Sequence, residues 1–356
     1  MNKHISLYLD VWRFGAALVV FLSHVASQKI SNGLFWQTKH YDQTAVMIFF
    51  VMSGFVISYI SSTKETELKD YSIARVSRLY SVVVPALLIT FISDSIGYSI
   101  NPEFYTEGPW PFETDSYLLT YFLSFLMIQN VWDLGLNPGI NQPFWSLTFE
   151  WIYYIAFAAV FYFKSNWKYA WLALILVLAA PTIVVLFPIW LLGYFLYRVM
   201  SNNASQTNSL LSVLISFSAV VAMVLVGPEI RKIEFSSTLI ARKEVYGDYF
   251  DAIMFCIHLY FAPSILHYGG YILERYASAI RKVAACTFAL YLFHRPLIQL
   301  IAAITPTDLE NYFYRLSLLL TPLLIVFTVG YWSEKQKNNL KNILSDLCTK
   351  FVGKVK

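Results

Sequence analysis

The residues able to do chemistry in this chain stand where ionisable groups are costly. The apolar stretch 7–26 carries Asp10, Arg13 and His24. A charged or titratable side chain inside such a run costs several kcal/mol unless it is paired or hydrated, so each marks a functional candidate. At about 100° per residue, Arg13 and His24 share one helix face, about 16 Å apart along the axis. Asp10 falls within about 40° of His24 on that face. Histidine exchanges a proton near neutral pH more readily than any other side chain. Asp10 and Arg13 have a plainer alternative, which is to pair with each other at the interface.

Four further segments carry such residues. Phe49-Phe50-Val51-Met52-Ser53-Gly54 ends in a small patch that lets another backbone approach closely. Ser53 as a nucleophile lacks the strand–turn–helix setting that exposes such a serine. Arg75-Val76-Ser77-Arg78 puts two guanidiniums at i and i+3 on one side of a helix, where they can grip a phosphate. Ordinary interfacial anchoring is the plain reading of that pair. Pro143-Phe144-Trp145-Ser146-Leu147-Thr148-Phe149-Glu150 sets Ser146 and Glu150 four apart, and Tyr154 continues the face. A carboxylate there either orients a protonated imidazole or simply meets water. Tyr291-Leu292-Phe293-His294-Arg295-Pro296 sets a histidine and an arginine beside a proline that frees a backbone carbonyl. His258 and His267 are less informative, and His4 and His40 are expected in solvent.

The elements that must position these groups follow from composition. Of 356 residues, 57% are hydrophobic, 18% aromatic and 13% charged. A soluble chain carries about 25% charged residues. A soluble enzyme, a disordered protein and a disulfide scaffold are therefore excluded, and an all-α polytopic membrane bundle is expected. The net charge of +4 calls for no nucleic-acid partner. Cys256, Cys286 and Cys348 show neither paired spacing nor a metal motif, so no metal site is expected. No cleavable signal is expected, because the first apolar run holds three ionisable residues.

Apolar runs long enough to span occur at 7–26, 44–61, 79–97, 143–163, 210–226, 249–269, 284–304 and 312–332. The run 168–200, interrupted by Pro181 and Pro188, is read as two short spans in a hairpin, giving about ten. Basic residues concentrate on the cytoplasmic side. Lys64, Lys69, Arg75 and Arg78 in 62–78, and Lys335, Lys337, Lys341, Lys350, Lys354 and Lys356 in the tail, put both there. From Leu79 to Phe163 there is no Lys or Arg, while Asp94, Glu103, Glu107, Glu113 and Asp115 occur. The short apolar run 117–131 is therefore expected to be re-entrant or peripheral. Loop 227–248 then falls outside despite Arg231, Lys232, Arg242 and Lys243. The domains expected are a membrane domain over 1–332, with 97–142 as an outer cap, and a basic cytoplasmic tail over 333–356.

In this order, the motifs resemble the acyltransferase-3 family of integral membrane acyltransferases, which includes bacterial O-acetylases of surface polysaccharide. The resemblance rests on Leu9-Asp10-Val11-Trp12-Arg13 followed by His24, on Phe49-Phe50-x-x-Ser53-Gly54 and on Arg75-x-x-Arg78. Phe144-Trp145-Ser146-Leu147 with Glu150, and Leu292-Phe293-His294-x-Pro296, complete it over nearly the whole chain. There are two departures: Ser81 follows Leu79-Tyr80 where a proline is frequent, and Arg295 stands where an aromatic is common.

The resemblance implies acetyl transfer from cytoplasmic acetyl-CoA, a cosubstrate rather than a resident cofactor. The acceptor would be a hydroxyl of a cell-surface glycan such as lipopolysaccharide O-antigen, capsule or exopolysaccharide, free or lipid-linked. Arg75 and Arg78 would hold CoA phosphate, and Arg13 would contact the donor or steady the site deeper in. His24 would act as general base or carry the acyl group, with Glu150 orienting His24 or the acceptor and Asp10 counted with them. Backbone donors near Ser53 and Gly54 would stabilise the oxyanion, with Trp145, Ser146, His294 and Arg295 in support. By composition alone, the 97–142 cap would build the acceptor pocket, its Trp110, Phe112 and Trp132 being suited to stacking on sugar rings. The setting implied is a bacterial cytoplasmic membrane, with both termini cytoplasmic. No fused extracytoplasmic domain is expected, so the reaction would run within the membrane domain or with a separate partner. A transporter or acyl-group translocator predicts inverted halves, and none is visible; a non-catalytic subunit predicts a missing histidine or arginine.

Overall fold

The computed structural model describes residues 2–111, 116–202, 209–305 and 308–354. Phe112, Glu113, Asp115 and Lys356, which figure in the expectations above, lie outside the described residues. Apolar backbone in a bilayer must satisfy its own hydrogen bonds, and every apolar run does so as a helix. In chain order these are α1 (Lys3–Val25), α2 (Asp42–Thr63), α3 (Leu68–Ile100), α4 (Trp145–Phe161) and α5 (Trp167–Ala179). Next come α6 (Pro181–Asn202), α7 (Leu210–Leu225), α8 (Val245–Arg275), α9 (Thr287–Ile304) and α10 (Tyr312–Ile325). A π-helical turn at Val326–Gly330 carries α10 into α11 (Tyr331–Lys354). No strand occurs among the described residues.

Among the described residues, eight helices are long and apolar enough to cross a membrane. The other two of the ten expected, α5 and α7, have 13 and 16 residues. At about 1.5 Å per residue both fall short of a hydrocarbon core of about 30 Å. The break between α5 and α6 is at Ala180, with φ 90°, just before Pro181. Pro188 interrupts nothing: it lies inside α6, correcting its expected role. The expected boundary at 332/333 falls within continuous helix, and Glu334 and Lys337 just beyond it line an internal cavity. All three cysteines are free.

Two packing devices place the site. A Cβ on Gly54 would run into the backbone oxygen of Trp190, and one on Gly193 into that of Val51. The two glycines thus let α2 and α6 meet backbone to backbone. On α9, Pro296 leaves the Leu292 carbonyl without its helical donor. Asn141 Nδ2 donates to that carbonyl at 2.8 Å and to Thr90 Oγ1 at 2.9 Å, tying the cap to α9 and α3.

The run 117–131 does not cross. Its helix, Tyr117–Phe125, has 9 residues and is about 14 Å long. It descends beside α3, from Tyr117 against Phe91 to Phe125 against Tyr80. The chain then returns, and Gln129 Nε2 donates to the Phe144 carbonyl at 2.7 Å. The turn-back uses left-handed backbone at Met127, Trp132 and Asp133. Protein covers the turn at Met127 and Gln129, both fully buried, whereas Trp132 and Asp133 are exposed.

The ends of the bundle can be assigned relative to each other. Lys3 pairs with Glu274 at 3.1 Å and Arg281 donates to Ser6 at 2.9 Å, so α1 begins where α8 ends. The start of α11 meets the arginines of α3 around one cavity at this same terminal end. Loop 227–248 lies at the opposite, cap end: the Ala241 amide donates to Thr182, which donates to Asp133. Every basic residue of this loop has an acid beside it. Arg231 holds Asp248 and Asp251, Arg242 holds Asp248, Lys232 holds Glu229 and Lys243 holds Glu234. Burial works against the Arg242 charge, but Asp248 outweighs it and holds the guanidinium above its ordinary pKa. Pairing explains how four basic residues sit with the cap.

Candidate active site

A cavity of about 400 Å³ opens among α1, α2, α3, α4, α9 and α11 at the terminal end. Its wall carries five basic side chains, Arg13, Arg75, Arg78, Arg281 and Lys337, against three acids, Asp10, Glu150 and Glu334. The excess of positive charge favours an anionic guest.

The two arginines of the i, i+3 pair differ. Arg75 Nη2 lies 2.9 and 3.1 Å from the two carboxylate oxygens of Glu65. Its guanidinium stacks between Tyr71 and Tyr154, at 5.6 and 5.7 Å from the ring centroids. The Arg78 guanidinium has no hydrogen bond or ion pair among the described residues and lines the cavity. Both arginines of the expected clamp line the cavity; Arg75 is engaged by Glu65 through Nη2, and Arg78 is the guanidinium without a side-chain partner among the described residues.

Asp10 is engaged as well. Its Oδ1 takes Arg13 at 3.3 Å and its Oδ2 takes Arg281 at 2.8 Å. Held by two arginines, it makes the pairing with Arg13 that the sequence offered as its plainer alternative.

Glu150 lies deeper than expected. Helix α4 runs from the cap toward the terminal end, so Glu150 is one turn, about 6 Å, below Ser146. Ser53 Oγ donates to Glu150 Oε1 at 2.9 Å, and Tyr154 OH donates to the same oxygen. Trp190 Nε1 donates to Ser53 Oγ at 3.1 Å. Oε2 makes no hydrogen bond, and the residue lines the cavity. No bond joins Glu150 to His24. Ser53 thus serves the carboxylate. The backbone around Ser53 and Gly54 is continuous α-helix with its amides in use, so the expected oxyanion donors are absent there.

Above this cavity, toward the cap, His24 meets His294. His24 Nδ1 lies 2.8 Å from the Val20 carbonyl and 3.3 Å from His294 Nε2. His294 Nδ1 lies 2.9 Å from the Leu290 carbonyl. A carbonyl only accepts, so both Nδ1 atoms carry hydrogen in the neutral rings. His294 Nε2 is then an acceptor facing His24 Nδ1–H, and His24 Nε2 keeps a free lone pair. This assignment comes from the partners, as tautomers must. His294 is fully buried, whereas His24 is half-buried with Trp110 against its edge at 5.5 Å.

Tyr291 stands between the cavity and the histidine pair. It lines the lower cavity, meets Ser146 Oγ at 2.9 Å and has its ring 6.5 Å from that of His294. Trp145 packs on Phe149 and carries Arg242 over its face. Arg295 lies over Trp110 at 4.6 Å and donates to Gln142 Oε1 at 2.6 Å. Trp132 is exposed on the cap.

The sequence reading missed Arg281, Glu334, Lys337, Tyr291 and Trp190. The first three read as charges of a loop and a tail, and only the return of α11 against α3 brings Glu334 and Lys337 to the cavity. Trp190 is an aromatic in an apolar run with no pattern to single it out, and Tyr291 figures in the sequence only as the start of the His294 segment, without a role of its own. The His24–His294 pair joins residues 270 positions apart that were both singled out without their contact being foreseen.

A family model described as an acyltransferase domain, of the acyltransferase-3 type, matches residues 6–332. No curated protein and no solved structure matches the chain.

Proposed function

The chain belongs to the acyltransferase-3 family, and from that premise we propose that it moves an acetyl group from acetyl-CoA to a hydroxyl of a cell-surface glycan. The observation that carries this reading is a cation-rich cavity at the terminal end with, toward the cap, a histidine pair that has one free imidazole nitrogen. We place the terminal end in the cytoplasm of a bacterial inner membrane, where the donor is available.

Arg78, with Arg13, Arg281 and Lys337 around it, binds CoA phosphates as charge-assisted hydrogen bonds. The pantetheine arm extends past Tyr291 toward His24. Arg13 and His24 are about 16 Å apart along α1, a span of the order of that arm. The acceptor hydroxyl arrives from the cap. His24 Nε2 removes its proton as the hydroxyl oxygen bonds to the thioester carbonyl carbon. The C–S bond breaks, CoA leaves as thiolate, and that proton returns to its sulfur. His294 Nε2 accepts from His24 Nδ1–H throughout and supports the imidazolium that forms. Glu150, held by Ser53 and Tyr154, keeps its second oxygen toward the donor.

The test is reconstitution in lipid nanodiscs with radiolabelled acetyl-CoA and the host's surface glycan. Label passes to the glycan with the native protein and not with His24→Ala. Undiminished glycan acetylation by His24→Ala refutes the role of His24. Glycan flux without turnover of acetyl-CoA would identify a transporter instead.

A further inference from the structure

Arg295 is a buried cation without a counter-charge. It is 7% exposed, on α9 in the middle of the bundle. Among the described residues it forms no ion pair; Asp42 and Asp94 are the acids whose fields reach it, both beyond ion-pairing distance. Its one hydrogen bond goes to a neutral amide, Gln142 Oε1 at 2.6 Å, and its Nε is sealed from solvent without a partner. Its Nη2 makes no hydrogen bond. One face is covered by Trp110, whose backbone carbonyl takes Gln299 Nε2 at 3.3 Å. On its other chain neighbour is His294, part of the proposed proton-transfer pair, which adds no negative charge.

A guanidinium kept at membrane depth with only an amide and an indole for company is costly, and such residues mark substrate contacts. Gln142 is solvent-exposed, so the site communicates with the cap surface. Planar forked donors match a carboxylate or a phosphate. We infer that Arg295, with Gln142 and Trp110, forms an acceptor subsite for an anionic group carried by the sugar that is acylated. The group is a carboxylate, as on a uronic acid, or a phosphate on the sugar. The indole offers the ring a flat apolar edge beside the charge. Calling this ligand the acceptor rests on the acyl-transfer reading; the anion site itself does not.

Thermal unfolding and equilibrium binding of the purified full chain in detergent test it with four probes. These are methyl glucuronide, glucose 1-phosphate, the neutral methyl glucoside, and CoA. Methyl glucuronide or glucose 1-phosphate raises Tm, and the one that does identifies the group; methyl glucoside does not. Arg295→Gln weakens that binding about 10- to 100-fold, the loss of one charge-assisted contact, while Arg295→Lys keeps part of it. Arg295→Met without ligand keeps or raises Tm, because an unpaired charge is removed. The inference fails if neither sugar anion shifts Tm, if the shift survives Arg295→Gln, if only CoA produces an Arg295-dependent shift, or if Arg295→Met lowers Tm sharply. An Arg295-dependent sugar shift in a protein that never turns over acetyl-CoA would instead refute the acyl-transfer reading and leave the anion site standing.

Discussion

Replacing His294 by phenylalanine fills the same buried space and removes the acceptor that faces His24 Nδ1–H at 3.3 Å. Val20 still holds the tautomer at 2.8 Å, so the free lone pair on His24 Nε2 survives. What is lost is support for the imidazolium as it forms. A hydrogen bond to a charged group is worth about 1.5–3 kcal/mol, and the long separation argues for the lower part of that range. At about 1.36 kcal/mol per decade, kcat falls about 10- to 30-fold, with KM for acetyl-CoA unchanged. Removing the base itself, in His24→Ala, costs more, about 10²- to 10⁴-fold. Steady-state release of CoA thiol, followed by a thiol-reactive dye in nanodiscs with saturating glycan, measures both. His294→Gln supplies an acceptor oxygen and an N–H for Leu290, so it recovers part of the loss. If His294→Phe is as damaging as His24→Ala, or if it raises KM alone, the assignment of His24 as base and His294 as its support is refuted.

Three other perturbations separate roles that look alike in the chain. Arg78→Ala raises KM for acetyl-CoA about 10- to 100-fold by removing a charge-assisted phosphate contact, with little change in Tm. Arg75→Ala instead lowers Tm, because it leaves Glu65 largely buried and unpaired, a loss near the low end of about 3–5 kcal/mol; a reversed pattern in kinetics and unfolding would refute the division. Gly54→Val drives a side chain against the Trp190 carbonyl, and overpacking of about 1–3 kcal/mol lowers Tm of the detergent-solubilised protein. An unchanged Tm would mean that α2 and α6 are not in backbone contact. Asn141→Leu strands the Leu292 carbonyl that Pro296 leaves free, at about 1–3 kcal/mol, and speeds proteolysis of the cap; equal protease resistance would contradict that anchoring.

The membrane class and the helical bundle were legible in the chain, with eight of the about ten expected spans long enough to cross among the described residues, because hydropathy over some twenty residues is a local property that a bilayer reads directly. That 117–131, read as re-entrant or peripheral, does not form a crossing helix was legible too, since a full crossing would have inverted every later loop. The candidates Arg13, His24, Glu150 and His294 could be singled out because ionisable groups in apolar runs are few. Their partners could not. Whether Arg75 or Arg78 stays open depends on Glu65 reaching back across a turn. Whether Glu150 serves His24 depends on the depth to which α4 carries it, which hydropathy does not report. That Asp10 pairs with two arginines rather than one depends on Arg281, 271 residues away in sequence, closing on its second oxygen. Periodicity along one helix decides which face a side chain takes. Only the packing of α1 against α9, and the return of α11 against α3, decided which charges meet, because those contacts join distant segments whose mutual depth and rotation are set by the whole bundle.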